Sequence, residues 1–233
     1  MEGTTMRRLL ILGAGTAGTI AANKLRRRFD KDEWDVTIVE QRGSHFYQPA
    51  FLFIPFGRYP AKRAKKPAAK YIRDGVTRVT GEVQAVDPDA RTVTLADGTV
   101  LDYDALIIAT GTSPHPEETP GMSDDWGGAV HSFYTYEDAV ALRDALQGFQ
   151  GGRLVVHITE MPIKCPVAPL EFAFLVEDHF RKQGIRHKVD ITYVTPLDGA
   201  FTKPVASKEL GGLLKDRSIR LASDFAVERI DNE

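Results

Sequence analysis

The residues with the clearest chemical capacity form a phosphate-binding pattern near the N-terminus and a single thiol further along. Gly13-Ala14-Gly15-Thr16-Ala17-Gly18 is a complete G-x-G-x-x-G that follows the apolar run Leu9-Leu10-Ile11-Leu12 and opens into a helix-like stretch, Thr19 to Phe29. In a strand, turn and helix of this kind the first glycine permits the turn and the second leaves no side chain between backbone and pyrophosphate. The third lets the helix pack on the strand, whose following helix N-terminus offers N–H groups to an anion. A second strand, Asp35 to Val39, ends on Glu40, at the spacing of a carboxylate that accepts from a ribose hydroxyl. The alternative is a glycine-rich turn that holds nothing. The flanking strand, the helix and the acid favour the nucleotide. The thiol is Cys165, in Thr159-Glu160-Met161-Pro162-Ile163-Lys164-Cys165-Pro166. This segment follows a predicted strand at the place where a dinucleotide-binding unit carries its glycines, and it has none. Side chains and prolines there keep the backbone away from a pyrophosphate, so this turn is read as having lost NAD(P) binding. Pro166 suits a first helical position, which would set Cys165 in the field of a helix N-terminus beside Lys164, both favouring thiolate. A small buried hydrophobe is the other reading of this cysteine.

The elements that must position these groups alternate strand and helix. After Glu40 come the aromatic segment Gln41 to Pro49 and the apolar Ala50 to Phe56, whose rings suit either a cofactor ring or a core. Arg58, Lys62, Arg63, Lys65, Lys66 and Lys70 form a basic run, read as a solvated face with attraction to anionic lipid headgroups as the sharper alternative. From Val76 the period becomes two, and Val76–Thr80, Glu82–Val86, Arg91–Leu95 and Val100–Tyr103 predict a β-meander turning at Ala96-Asp97-Gly98-Thr99. Asp104 to Gly111 predicts a buried apolar strand. Beyond Pro120 the pattern predicts helices at Tyr136–Leu146, Pro169–Gln183 and Ser207–Leu214. Strands are predicted at Arg153–Ile158 and Val189–Val194 and through Ile219–Ile230, a βαβ arrangement with a parallel sheet.

Composition bounds the rest. The chain has 233 residues, 42% hydrophobic, with 30 basic against 32 acidic residues and a net charge of -2, the profile of a soluble globular protein with no call on nucleic acid. No apolar run approaches the roughly 18 residues of a membrane span, and Met1 to Arg8 leads into a strand rather than the apolar core of a secretory leader. One cysteine excludes an internal disulfide and a multi-cysteine zinc site. The six histidines show no ligand spacing, so no metal site is expected. His131 is a candidate for proton transfer, and no nucleophile elbow supports serine hydrolysis.

The order of glycine fingerprint, acidic strand end, meander and then Ala109-Thr110-Gly111 followed by Pro114 resembles the two-dinucleotide-binding-domain flavoproteins. That resemblance implies an α/β fold. Residues 1–119 would be an FAD-binding Rossmann-like three-layer domain with a β-meander, and residues 120–233 a second, incomplete Rossmann-like domain carrying the cysteine motif. FAD is the implied cofactor, contacted by Gly13 to Gly18, Glu40, Gln41, Val83 and the Ala109-Thr110-Gly111 turn. Met161-Pro162-Ile163-Lys164-Cys165-Pro166-Val167-Ala168-Pro169-Leu170-Glu171 closely resembles the cysteine motif of the sulfide:quinone oxidoreductases and the related flavocytochrome c sulfide dehydrogenase flavoproteins. By that resemblance Cys165 carries sulfane sulfur and hands electrons to FAD, and Glu171 transfers protons; an ordinary surface carboxylate is the plain alternative for Glu171. Sulfide and quinone are the implied substrates. The implied location is cytoplasmic, peripheral on the inner membrane, and a homo-oligomer stays open.

The chain also departs from that family. A second cysteine, a late glycine-aspartate segment at the flavin, a quinone pocket and C-terminal membrane helices have no counterpart here. The expectation is therefore a truncated chain whose first domain lacks its C-terminal return segment. An inactive fragment or a flavin-binding redox module switched at Cys165 is one alternative. A type II NADH:quinone oxidoreductase is another, and it needs the glycine loop that is missing after Ile158.

Overall fold

The computed structural model describes residues 5–231. The first four residues, part of the stretch read above as lacking a leader, and the last two lie outside them. The chain divides into two compact units, one made of the residues up to Tyr47 with Lys62–Ser113, the other of Gln48–Ala61 with the residues from Pro114 onward.

The first unit is built on β1 (Arg7–Leu12), α1 (Thr16–Arg28) and β2 (Trp34–Glu40), followed by a short antiparallel pair, β3 (Ser44–Phe46) and β4 (Lys65–Pro67), with the single turn α2 (Ala61–Ala64) just before β4. β5 (Thr77–Thr80), β6 (Val83–Asp87), β7 (Thr92–Leu95), β8 (Val100–Asp102) and β9 (Ala105–Ile108) complete it. The main sheet runs β5-β2-β1-β9, every neighbour parallel, with Ile11 opposite both Ile38 and Ile107. Leu9 to Leu12 reads as an unbroken apolar run because this central strand is covered on both faces. Leu9 and Ile11 pack with Val36, Ile38 and Ala22 of α1, whereas Leu10 and Leu12 pack with Val93 and Leu95 of the antiparallel sheet β6-β7-β8 and with Tyr103 just past β8. Alternation along one strand thus serves two cores.

Two expectations change here. The first predicted meander strand is β5, which joins the parallel sheet beside β2, with the Thr77 hydroxyl donating to Asp35; the meander itself has three strands. Alternation records a half-buried strand and does not name its partner, so the pattern alone grouped β5 with its sequence neighbours. The predicted buried strand is β9, which lies at the edge of the sheet and leaves Ile108 65% exposed.

The second unit contains α3 (Tyr136–Gly148), β10 (Gly152–His157), α4 (Ala168–Lys182), β11 (Val189–Val194), α5 (Pro204–Asp216) and β12 (Ile219–Ala222). Its sheet is β10-β11-β12, all parallel, with α4 and α5 as the crossovers. Val156, Ile158, Leu170, Ala173, Val176, Phe180, Ile191, Tyr193 and Leu214 form one core. The Ala50–Phe56 stretch joins it: Leu52 and Phe56 pack on this core, with Phe56 5.2 Å from Phe172, so for these rings the packing reading holds. Strand structure predicted through Ile230 ends at Ala222. The Ile230 N–H donates to Pro120, and a side chain at Gly121 would meet the Ile230 carbonyl at 1.9 Å, so this stretch closes on a loop rather than on a strand. Among the described residues no helix is long and apolar enough to cross a membrane.

Candidate functional site

Two groups of residues come out of the fold, one in each unit. In the first, β1 delivers the chain to Gly13, whose φ of +95° suits glycine alone. A Cβ there would meet the Ala109 carbonyl oxygen at 2.5 Å, and one on Gly18 would meet the Gly13 carbonyl oxygen at 1.8 Å. Loop, helix and β9 end therefore touch through backbone, and Ala109 is tied in further by its N–H to the Leu12 carbonyl at 2.8 Å. Gly15 is different: a Cβ on it would meet nothing within 4 Å. It stands at the N-cap of α1 with no side chain capping the helix and no acid in the first turn, and Gly15, Thr16 and Ala17 are all exposed. The open face of the loop is thus lined by N–H groups at the positive end of a helix, an anion-binding arrangement.

Ala14 fixes this loop. It is fully buried, and its N–H donates to Glu40 Oε2 at 2.8 Å. Its carbonyl accepts the Thr19 hydroxyl at 2.9 Å and lies 3.2 Å from His45 Nδ1. Glu40 Oε1 accepts the Arg42 N–H at 2.9 Å, so the carboxylate spans exposed Gln41. A carboxylate offers about four lone-pair sites. Two are used here, which leaves capacity for a ribose hydroxyl. Thr110 lies with Ala109 against Gly13, and Gly111 follows, exposed, at φ +80°. Val83 sits in β6 opposite Leu95, packed on the meander core. Sequence reasoning missed Thr19 and His45 as supports of the loop. Thr19, one residue past the fingerprint, could have signalled it; His45, which stacks on Tyr71 at 4.7 Å, had no spacing signal. The basic run is split between the units, with Lys65 Nζ 5.5 Å over the Phe46 ring in the first and Arg58 in the second.

In the second unit the glycine-free loop joins β10 to α4. Cys165 is exposed, unlike a buried packing residue, and has φ +56°. That left-handed turn breaks the helical path, so α4 starts only at Ala168, with Val167 as N-cap and Pro169 in the first turn. Pro166 is therefore not the first helical residue, as expected from sequence; both prolines lack the N–H that a first turn can spare, and the backbone at Cys165 decides between them. The Cys165 carbonyl accepts from the Ala168 N–H at 2.9 Å and from the Tyr134 hydroxyl at 3.5 Å. Lys164 Nζ reaches the Gln48 Oε1 at 3.5 Å and lies 5.8 Å over the Tyr134 ring. Burial, with the nearby Cys165 charge as a second cause, pushes the Tyr134 hydroxyl up to about 12. Glu171 lies exposed in the first turn of α4, and His131 is half-buried before α3. Among the described residues no cluster could hold a metal ion.

Parallel sheets served by crossover helices, with a glycine cradle and a carboxylate at the next strand end, define a dinucleotide-binding fold. Residues 7–157 match the pyridine nucleotide-disulphide oxidoreductase family, and the chain belongs to it. The cofactor of this family is FAD, and the cradle, with its open Gly15 face and the spare capacity of Glu40, fits an adenosine diphosphate moiety. The mitochondrial sulfide:quinone oxidoreductase of Dictyostelium discoideum is 28% identical over 214 residues, which are 91% of this chain and 47% of that protein. An NADH dehydrogenase-like protein of Mycobacterium tuberculosis is 33% identical over 156 residues, 64% of this chain and 36% of that one. The crystal structure of the sulfide:quinone oxidoreductase of Aquifex aeolicus superposes with a TM-score of 0.84 at 24% identity, over 97% of this chain and 52% of that one. The chain thus spans about half the length of the sulfide:quinone oxidoreductases it matches.

Proposed function

We propose that the chain serves an FAD-dependent oxidoreductase of the sulfide:quinone type. The observation that carries this reading is an exposed Cys165 in a glycine-free loop ahead of α4, where a nucleotide loop would otherwise stand. Gly13 to Gly18 take the pyrophosphate on the open Gly15 face, Glu40 takes the ribose, and Gln41, Val83 and Ala109-Thr110-Gly111 complete the contacts. FAD, when bound, supplies a two-electron acceptor that a quinone reoxidises. The Cys165 thiolate and hydrosulfide would join through an S–S bond with loss of one proton and two electrons, the bound FAD being the group that would accept the electron pair, and the sulfur stays on Cys165 as sulfane sulfur. Glu171, exposed in the first turn of α4, takes up the proton released. Sulfide and quinone are the partners, and the protein works peripherally on the cytoplasmic side of the inner membrane.

Anaerobic addition of sulfide to the flavin-loaded protein tests this by following the visible flavin band. Bleaching is expected, slowed at least a hundredfold in Cys165→Ser. A variant that bleaches as fast as the parent would remove the cysteine from the reaction. The similarity to an NADH dehydrogenase-like protein favours a second reading, an NADH:quinone oxidoreductase. The glycine-free loop speaks against it, and rapid bleaching by NADH in place of sulfide is the result that would favour it.

A further inference from the structure

Arg58, first of the basic residues that follow the apolar Ala50–Phe56 stretch, leaves that run and joins a cluster in the second unit. Asp178 of α4 accepts from Arg58, Arg181 and Lys182, the last at 2.8 Å. The preceding residue of α4, Glu177, pairs with Arg217 at 2.9 Å, with Arg181 at 3.7 Å and with Arg186 at 3.9 Å. Five cations thus share two carboxylates, an excess of three positive charges among the paired groups. The C-termini of α4 and α5, which end at this cluster, offset about half a charge each. Roughly two positive charges remain uncompensated.

The distribution of exposure matters as much as the sum. The carboxylates are sunk beneath the cations, with the Glu177 side chain 6% exposed and that of Asp178 17%, whereas the side chains of Arg58, Arg181 and Arg217 are 40% to 59% exposed. Each guanidinium has five N–H donors in a planar fork. Arg217 gives one of them to Glu177, and its remaining face opens on a cleft of about 310 Å³. The same cleft is also lined by the apolar Phe174 and Leu175 of α4 and Leu213 of α5, the last 48% exposed. A cationic rim above sunken acids repels cations and attracts anions, while the aliphatic wall gives a ligand's chain something to lie against.

We infer that the cleft between α4 and α5, rimmed by Arg58, Arg181 and Arg217 and walled by Leu175 and Leu213, binds a phosphate ester carried on an aliphatic chain. The phosphate accepts from the exposed guanidinium forks, and the chain covers the leucines. This site uses none of the residues assigned to FAD or sulfide and stands independently of that assignment.

The test uses the complete chain and three soluble probes: dihexanoyl phosphatidic acid below its micelle concentration, glycerol phosphate, and the neutral-headed dihexanoyl phosphatidylcholine. Titration calorimetry is expected to find the first bound at least tenfold more tightly than either of the others, and weakened by raising salt, as for partly exposed charges. Arg58→Gln with Arg181→Gln, which leaves Asp178 paired to Lys182, should weaken it a further tenfold or more. Leu213→Asn, at an exposed position, should reduce binding of phosphatidic acid several-fold without changing that of glycerol phosphate. Vesicles of phosphatidylcholine with and without phosphatidic acid separate the sources. Capture by the acidic vesicles that fails in the double arginine variant places the ligand in a bilayer, and binding confined to the monomeric lipid places it in solution. Equal affinity for glycerol phosphate and phosphatidic acid, or unchanged affinity in either variant, overturns the inference.

Discussion

Two glycines of the same fingerprint carry opposite liabilities. Gly18 has the Gly13 carbonyl oxygen where a Cβ would stand, at 1.8 Å, and that obstacle is backbone in the tightest part of the fold. Gly15 has nothing within 4 Å and an ordinary negative φ of -69°. Gly18→Ala should therefore destabilise the chain by about 1–3 kcal/mol, the usual cost of overpacking. Gly15→Ala should leave the apoprotein's unfolding midpoint unchanged and weaken FAD retention about tenfold, equivalent to ~1.4 kcal/mol. Thermal unfolding of apoprotein together with flavin content after desalting separates the two effects. Loss of stability in Gly15→Ala without loss of flavin would show that the open face is not the phosphate side. The turn at Gly13 and the close packing at Gly18 were legible because glycines at fixed intervals after an apolar strand mark places where backbone must approach backbone. The supports at Thr19 and His45 were not, since a hydroxyl and an imidazole on a carbonyl leave no periodic trace.

At the scale of elements, α4 joins the cysteine loop to the core of its unit. Its inner face sets Leu170, Ala173, Val176 and Phe180 against β10 and β11, and Phe180 is fully buried, 5.3 Å from Phe149. Phe180→Ala removes a ring from a closed site and should cost about 3–5 kcal/mol, the range for a large aromatic truncated in a core. Urea unfolding followed by circular dichroism measures it. A cost below 1 kcal/mol would mean that neighbouring side chains collapse into the space. The helix itself was readable from its 3.6-residue apolar period, to within a residue or two at each end. Pro166, which also suits a first helical position, stays outside it, because the residue that ends the loop, Cys165, has φ +56°, and cysteine is not a type that announces a left-handed backbone. Partnership was harder still. β5 alternates like a meander strand yet pairs with β2, and the arginine cluster draws on positions 58, 177 to 186 and 217, which no local window contains.

Across the whole chain the near balance of charge hides two separate acid sensitivities. His157 is pushed down by burial, and His179 by burial first and by Arg58 next. Both have an Nε2 that is buried without a hydrogen-bond partner. A histidine with a folded pKa below its unfolded value of about 6.5 binds fewer protons when folded, so its contribution is present above that value and is lost as pH falls below it. Asp178, held at about 2 chiefly by its hydrogen bond from Lys182 and then by that from Arg58, contributes stability that is present above about pH 4 and lost as pH falls toward 2. His115 acts in the opposite sense, raised by Glu117, but both partners are exposed and an exposed pair is worth little. Stability should therefore fall in two steps, the first from pH 6.5 downward and the second below pH 4. His157→Phe with His179→Phe keeps rings against Phe225 and Phe56, removes both titrations, and should flatten the first step while leaving the second. Asp178→Asn should make the second step shallower without abolishing it, because Asp97 and Asp104 are also held below the usual carboxylate range by Thr99 and Arg8. Urea midpoints measured at intervals from pH 8 to pH 3 distinguish these outcomes, and an unchanged slope between pH 7 and 5 in the double histidine variant would assign the upper step to other groups.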